Sequence, residues 1–510
     1  MLKIDARAGH ALYSVDATRR IEHAAQATLP AHTLMQRAGL AVAQLALAVA
    51  PHARRVWIAC GPGNNGGDGL EAAMHLQQWG KSPLVSWLGH ADTAPPDAAA
   101  SYQRALAAGV TFAETAPQDC DLCIDALLGI GGDQRALQGR MASWIALMNA
   151  GSAPVLAVDI PTGLHADTGV LAPHGVMARH TLSLLTLKPG LFTADGRDAA
   201  GTVWLDALQG ADPQSAAEDL VTPSAWLAGA PGALARRHAS HKGSYGDVAV
   251  IGGAPGMTGA ALLAATAALH AGAGRVFVTL LDGGSLSVDT RQPELMFRAI
   301  DGLNFQTMTA VCGCGGGDAV RAPLARILSR AARLVLDADA LNAIAHDTQF
   351  QALLGARSAR AAATALTPHP LEAARLMGST AAQVQRERLT VAQQLAQRFG
   401  CTVVLKGSGT IIAAPGQTPV INPTGNARLA TAGTGDVLAG MIGARLAGGL
   451  SAFDAACQAV YLHGEMSDRW PDERPLVASE LATRNQFRNA DAACLPSCAH
   501  PPSFPGPSST

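Results

Sequence analysis

Gly433-Thr434-Gly435-Asp436 is the stretch of this 510-residue chain whose chemistry is easiest to read. The glycine-punctuated turn runs straight into the apolar Val437-Leu438-Ala439 and so opens a helix. The first N–H groups of a helix lack partners within it and lie at the positive end of its dipole. An anion is favoured there, and a phosphoryl group in transfer is an anion that needs stabilising. Asp436 adds a carboxylate able to take a proton from a hydroxyl. Asp is also a favoured N-cap, so the motif taken alone reads as a capped helix start.

Further acids and amides sit at the ends of apolar runs in the first half. Gly61-Pro62-Gly63-Asn64-Asn65-Gly66-Gly67-Asp68-Gly69 follows one run, Asp125 falls at the end of another, and Asp159-Ile160-Pro161-Thr162-Gly163 follows a third. Residues 61–66 match G-x-G-x-x-G in form. No acidic residue closes the next strand for a ribose, however, and no Gly-Lys-Ser/Thr follows for a P-loop. What remains is a loop of amide oxygens and N–H donors for a polar ligand. Asn65, Asp125 and Thr162 offer hard oxygen ligands, the chemistry of an alkali or alkaline-earth ion rather than zinc.

The elements that must position these residues alternate. Helices are expected over 14–27 and 34–50, strands over 55–60, 83–88, 122–128 and 154–159, with helices over 70–79, 98–108 and 141–149 between them. After a strand at 202–205, the polar stretch 210–219 lacks apolar periodicity and reads as a boundary. Strands at 247–251 and 275–281, a glycine-rich strand end at 311–318, a strand over 334–341 with two aspartates at its end and the stretch 402–410 follow, with helices over 260–271, 387–399 and 452–466. Alternation of this kind predicts two α/β domains, each a parallel sheet covered on both faces, with ligands beyond the carboxyl ends of the strands.

Composition agrees. The chain is 48% hydrophobic and 15% charged, with a formal net charge of −2. Such a balance suits a soluble enzyme and offers no electrostatic case for nucleic acid or anionic membrane. Nine cysteines lie scattered without zinc spacing, and Cys120-x-x-Cys123 leads into a strand; free thiols in a reducing cytoplasm account for them. The N-terminus lacks the basic-then-apolar order of a signal peptide, and no apolar run is long enough to span a bilayer, so a cytoplasmic protein is expected.

The 61–69 loop, Asp125-Ala126-Leu127-Leu128-Gly129 and Val158-Asp159-Ile160-Pro161-Thr162-Gly163-Leu164 together resemble the NAD(P)H-hydrate epimerase family. That resemblance implies a Rossmann-like three-layer αβα sandwich over residues 1–212. It implies that Asn64, Asn65, Gly66, Gly67 and Asp68, with Gly129, Ile130, Gly131, Gly132, Asp133, Gln134 and Arg135, hold the hydrated dinucleotide. Asp159 would act on the ring as acid/base, and Asn65, Asp125 and Thr162 would ligate K⁺. Thr162 stands where the family more often has Ser, which keeps the hydroxyl.

Beyond a linker at 213–225, residues 226–488 resemble the ribokinase-like family and, within it, the ADP/ATP-dependent NAD(P)H-hydrate dehydratases. The resemblance rests on His241-Lys242-Gly243-Ser244-Tyr245-Gly246, Asp337-Ala338-Asp339-Ala340-Leu341-Asn342, Thr367-Pro368-His369-Pro370, Lys406-Gly407-Ser408-Gly409-Thr410 and the opening motif. It implies a ribokinase-like αβα domain in which Lys406, Gly407, Ser408, Gly409, Thr410 and Gly435 line the nucleotide. Ala260, Gly316, His369 and Asp436 would contact the hydrated dinucleotide, with Asp436 as the base. Asp337 and Asp339 are left without a role. Leu371 replaces a usual Gly, Ala427-Arg428 replaces Pro-Gly, and Gly313-Cys314-Gly315-Gly316-Gly317 departs from the common Gly-Pro-Gly-Leu-Gly. Residues 489–510, rich in Pro and Ser, read as a disordered tail.

The implied function is repair of hydrated NADH and NADPH. The first domain would interconvert the R and S hydrates, and the second would dehydrate the S hydrate with ADP as co-substrate, giving AMP and phosphate. K⁺ in the first site and Mg²⁺ on the nucleotide are the implied ions; nothing in the residues excludes ATP. The partners are small molecules, with neither nucleic acid nor membrane, and a homo-oligomer is expected. Two rivals share part of the pattern: a ribokinase-like kinase for a vitamin precursor fused to a binding domain, and a non-catalytic nucleotide-binding or partner-binding protein. His369 and the first-half motifs speak against the former, and acidic groups at every strand end against the latter.

Overall fold

A computed structural model describes residues 1–131, 137–208, 221–232 and 237–484. Gly132, Asp133, Gln134 and Arg135, most of the expected linker and the 489–510 tail lie outside them.

Two sheets form. The eight-stranded sheet runs in space through Leu2–Lys3, Thr202–Asp206, His180–Leu184, Val155–Val158, Leu122–Ala126, Arg55–Cys60, Ser82–Trp87 and Thr111–Phe112. All its pairs are parallel except the edge pair of Leu2–Lys3 with Thr202–Asp206. Its central strands are buried throughout, which explains their unbroken apolar runs. The expected 61–69 loop is shorter than its sequence suggests. The helix already begins at Asn64 and runs to Gln78, so Asn64, Asn65 and Asp68 stand on its first turns beside the unpaired amides.

The eleven-stranded sheet runs through Met296–Phe297, Arg275–Leu280, Asp247–Gly252, Thr309–Cys312, Arg333–Leu336, Ala363–Leu366, Thr402–Leu405, Ile411–Ala413, Val420–Ile421, Ala225–Leu227 and His10–Leu12. Its first seven strands are parallel, and the two hairpin pairs after Thr402–Leu405 are antiparallel. The edge is completed by His10–Leu12, antiparallel to Ala225–Leu227. A strand from the start of the chain thus closes the sheet of the second half. One apolar cluster joins the halves: Leu12, Leu187, Leu191 and Phe192 pack in the same core as Leu366, Leu405 and Ile421.

The helix Thr434–Ala447 is buried along nearly its whole length and crosses Thr258–His270 closely. A Cβ on Gly440 would fall 2.0 Å from the Ala264 carbonyl oxygen, so only glycine permits that approach. This crossing sets where the 433–436 turn lies. No described helix is long and apolar enough to cross a membrane.

Candidate active sites

The first site is a cavity of about 480 Å³ at the carboxyl ends of the eight-stranded sheet, lined by Asn64, Asn65, Asp68, Gly129, Asp159 and Lys188 among others. Asp159 holds φ +66°, a left-handed conformation that is uncommon for a residue with a Cβ and is concentrated at functional sites. Its Oδ1 accepts from Lys188 Nζ and from Leu184 N–H at 3.3 Å, and its Oδ2 accepts from Ile130 N–H at 3.4 Å. Lys188 is fully buried and also donates to Ser183 Oγ at 3.2 Å and the Leu184 carbonyl at 2.8 Å. A buried carboxylate beside a buried, satisfied ammonium is a stable arrangement, whereas either alone is costly. Burial, with Asp159 and Glu22 adding like charge, pushes the Asp68 carboxyl well above the usual range. Glu22 is raised by burial and then by Asp159.

Asp125 and Thr162 meet beside this cavity. Thr162 donates from its hydroxyl to Asp125 Oδ1 at 2.7 Å and from its N–H to Oδ2 at 2.8 Å, while Leu128 N–H donates to the Thr162 hydroxyl at 3.0 Å. Burial pushes Asp125 up to about 6 against those hydrogen bonds. Asn65 Nδ2 is buried and has no hydrogen-bond partner. Its Oδ1 would lie 3.0 Å from a Cβ on Gly129, and Asp159 Oδ2 would lie 3.3 Å from the same point.

The second site lies at the carboxyl ends of the eleven-stranded sheet. Gly433, at φ +88°, is the N-cap of the helix, and the cap makes no side-chain hydrogen bond. Asp436 is therefore not the cap; it stands in the first turn with its carboxylate not engaged in capping. Among the described residues the N–H groups of Gly433, Gly435 and Asp436 have no acceptor, and Thr434 N–H reaches only the Thr431 carbonyl at 3.4 Å. The reactive atoms of Cys314, Asp337 and Asp436 lie within 4.8 Å of one another. Lys406 Nζ donates to Asp337 Oδ1 at 2.7 Å, as does the Thr367 hydroxyl at 2.7 Å. Burial alone would depress Lys406, but Asp337 and Glu372 outweigh it and hold the ammonium above its ordinary value. Burial, then the Asp337 carboxylate, pushes Asp436 up to about 6.

His369 caps the helix Pro370–Met377, accepting at Nδ1 from the N–H groups of Leu371 at 3.1 Å and Glu372 at 3.4 Å, and Glu372 completes the capping box. Its ring is depressed by burial and by Lys406, and Nε2 lies 3.2 Å from Glu372 Oε1. The ring is thus cap and wall at once. Gly435 faces Lys406, since a Cβ there would lie 3.4 Å from Nζ. Ala260 and Gly316 flank Gly315, where a Cβ would lie 2.8 Å from that of Ala260. The loop over 406–410 leaves Gly407 and Ser408 exposed, and among the described residues the N–H groups of Gly407, Ser408 and Gly409 have no acceptor. Free amides at a glycine-rich loop and at a helix start, close to one ammonium, are groups of the kind that can accept a phosphate.

Residues 31–190 match a family described as YjeF-related protein N-terminus, and residues 248–486 match NAD(P)H-hydrate dehydratase. A bifunctional NAD(P)H-hydrate repair enzyme, Nnr, of Escherichia coli (strain K12) is 35% identical over 94% of this chain and 92% of its own length. This chain belongs to the bifunctional NAD(P)H-hydrate repair enzyme family. The second half alone is 43% identical to an ADP-dependent (S)-NAD(P)H-hydrate dehydratase of Neisseria meningitidis serogroup B, over 49% of this chain and 85% of that one. The crystal structure of an ADP/ATP-dependent NAD(P)H-hydrate dehydratase from Bacillus subtilis, co-crystallised with ATP/Mg²⁺, is similar at a TM-score of 0.40 and 30% identity over 49% of this chain and 90% of that one.

The repair-enzyme fold brings together most of the residues singled out from the sequence, and it adds partners that the motifs did not reveal. Lys188 is the chief one: it lies outside every motif, and only a Lys-Pro-Gly turn after a strand marks it. Cys314, whose thiol lies within 4.8 Å of the Asp436 carboxylate, is marked in the sequence only by a departure from the common turn. Asp337, without an assigned role in the sequence, is the counter-ion of Lys406.

Proposed function

We propose that the two sites are the epimerase and the dehydratase of one repair enzyme, acting on the same hydrated nicotinamide ring. The observation that carries this reading is that the chain holds two separate carboxylates of different setting, each at the carboxyl ends of one sheet. Asp159 is clamped by a buried ammonium, and Asp436 is a carboxylate of raised affinity for protons beside free amides.

In the dehydratase, hydroxide is too poor a leaving group to depart unaided. The S hydrate's hydroxyl oxygen attacks the terminal phosphorus of ADP, Asp436 takes the hydroxyl proton, and AMP leaves with the pair of the broken P–O bond. The amides at 433–436 and 407–409 receive the charge that spreads over the phosphoryl oxygens. The ring's C–O bond then breaks, phosphate carries away its electrons, and loss of a ring proton restores NAD(P)H. His369 and the turn around Gly316 would border the ring. Mg²⁺ would enter on the nucleotide phosphates and neutralise their charge; Asp337 is already engaged by Lys406 and Thr367, and Asp339 by Gly317 N–H at 2.8 Å.

In the epimerase, Asp159 would serve as acid/base toward the ring, with Lys188 holding its orientation. Asn64, Asn65, Gly66, Gly67, Asp68, Gly129, Ile130 and Gly131 would hold the dinucleotide. The donor set of Asn65, Asp125 and Thr162 fits K⁺: all are oxygens, and among the described residues no cationic side chain pairs with the buried Asp125 carboxylate. The ion would supply a fixed positive charge near the reacting ring.

The test is to supply mixed R and S hydrates with ADP and follow recovery of dihydronicotinamide absorbance. Full recovery supports both activities. Recovery of the S form alone sinks the epimerase assignment, and none with ADP or ATP sinks the dehydratase.

A further inference from the structure

The 406–410 loop is held from behind by the other half of the chain. Ala194 N–H donates to the Ser408 carbonyl at 3.1 Å, and the Ser408 hydroxyl donates back to the Ala194 carbonyl at 2.8 Å. The Thr193 hydroxyl lies 3.2 Å from both the Ser408 and the Gly409 carbonyl oxygens. Gly409 has φ +61°, and a Cβ there would meet the Phe192 carbonyl oxygen at 2.1 Å. Only glycine allows the two segments to lie so close.

Beneath the contact lies Arg388, 1% exposed. Its Nε donates to Thr193 Oγ1 at 3.1 Å. Its Nη2 reaches the carbonyls of Leu405, Lys406 and Gly409 at 3.3, 3.2 and 3.4 Å, and its Nη1 donates to Gln385 at 2.7 Å. No described carboxylate pairs with it. A buried guanidinium with only neutral acceptors is costly unless each is in place, and one of them belongs to the first half. With the carbonyls of Ser408 and Gly409 drawn toward Thr193 and Arg388, the amides of the same loop are left for a ligand.

We infer that Thr193, in the epimerase half, is a positioning residue of the dehydratase: together with Arg388 it holds the 406–410 loop in the form that receives a nucleoside diphosphate. The inference rests on that loop being the nucleotide site. It acts on nucleotide binding rather than on the proton transfer at Asp436, so its signature is a change in KM for ADP with kcat retained. The epimerase cavity does not use Thr193 and keeps its rate.

The experiment uses the full chain. Thr193→Val removes the hydroxyl and keeps the shape; Thr193→Ser restores the hydroxyl; Ser408→Ala removes a second, exposed strut without touching the core. ADP affinity is read by calorimetry and by KM for dehydration, and epimerisation is followed in the same preparations. The expected result is a roughly tenfold rise in Kd and KM for ADP in Thr193→Val, about 1.4 kcal/mol. A rise of about threefold is expected in Ser408→Ala from one hydrogen bond, with Thr193→Ser within about twofold of the parent. Unchanged ADP affinity in Thr193→Val and Ser408→Ala overturns the inference, as does a Ser variant no better than Val. If Thr193→Val does not fold, Ser408→Ala alone decides by the same criterion. A parent that neither binds nor uses ADP overturns the nucleotide assignment itself, a result distinct from a parent that works and variants that match it.

Discussion

Dehydration should show an acid limb near pH 6 that belongs to Asp436 and moves when Asp337 is changed. Burial and the Asp337 charge push the Asp436 carboxyl up to about 6, and a base must be ionised to act. The ionised fraction is then about nine-tenths at pH 7 and just under about one-tenth at pH 5, a rate loss of roughly tenfold. The terminal phosphate of ADP titrates in the same range, near ~6, so the limb alone does not identify its owner. Asp337→Asn does. The two carboxylates lie within 4.8 Å. At an effective dielectric of ~20 two such charges repel by about 3 kcal/mol, or roughly two pH units. Lys406, bonded to Asp337, already cancels part of this, and a downward shift of about one unit is the expected remainder. The assay is single-turnover dehydration at saturating ADP between pH 4.5 and 8 (an experimental range of about ±2 units around the limb), with Asp436→Asn as the blank. A limb that stays in place or rises in Asp337→Asn would refute Asp436 as the titrating base.

Asp436→Asn should lower dehydration by about 10²–10⁴-fold and leave the R-to-S exchange intact. Asp159→Asn should do the converse, and Lys188→Met should resemble it, because it strips the buried cation from Asp159; chiral separation of the remaining hydrates reads both. Replacing K⁺ by choline should slow epimerisation and not dehydration, and Asp125→Asn should raise the K⁺ concentration for half-maximal epimerisation by about tenfold or more. His463 is buried, bonded at Nε2 to the Thr434 carbonyl at 3.0 Å, and burial depresses it to about 4. The unfolded chain binds that proton first, so its contribution is whole above about pH 6.5 and is lost as the pH falls toward 4, about 3 kcal/mol in all. His463→Gln should flatten the acid side of a urea-denaturation series over that window.

The local devices of both sites are legible in the order of residues. Glycine-acid turns after apolar runs can be read without coordinates because the conformation they impose, and the amides they leave free, depend on a few adjacent residues. The alternation of strands and helices was legible for the same reason, and with it the rule that the motifs gather at the carboxyl ends of the sheets. Even there, local reading misplaced three things. The strand expected over 334–341 ends at Leu336, and the helix Ala338–Ala345 opens behind an Asp337 cap. The stretch from Asn64 is helix, not loop, since three glycines in it are tolerated by packing; and Asp436 follows a glycine cap rather than being the cap. Which charges meet is set by packing between distant elements. Lys188 and Asp159 are 29 residues apart, Lys406 and Asp337 are 69 apart, and Arg388 and Thr193 are 195 apart. No periodicity encodes such pairs, because each is a consequence of where sheets and helices pack. The same holds for the strand His10–Leu12, whose pairing with Ala225–Leu227 ties the chain's beginning to its second half. Chemistry is written in short stretches, while the clamp on Asp159 and the raised proton affinity of Asp436 come from partners that folding alone brings within reach.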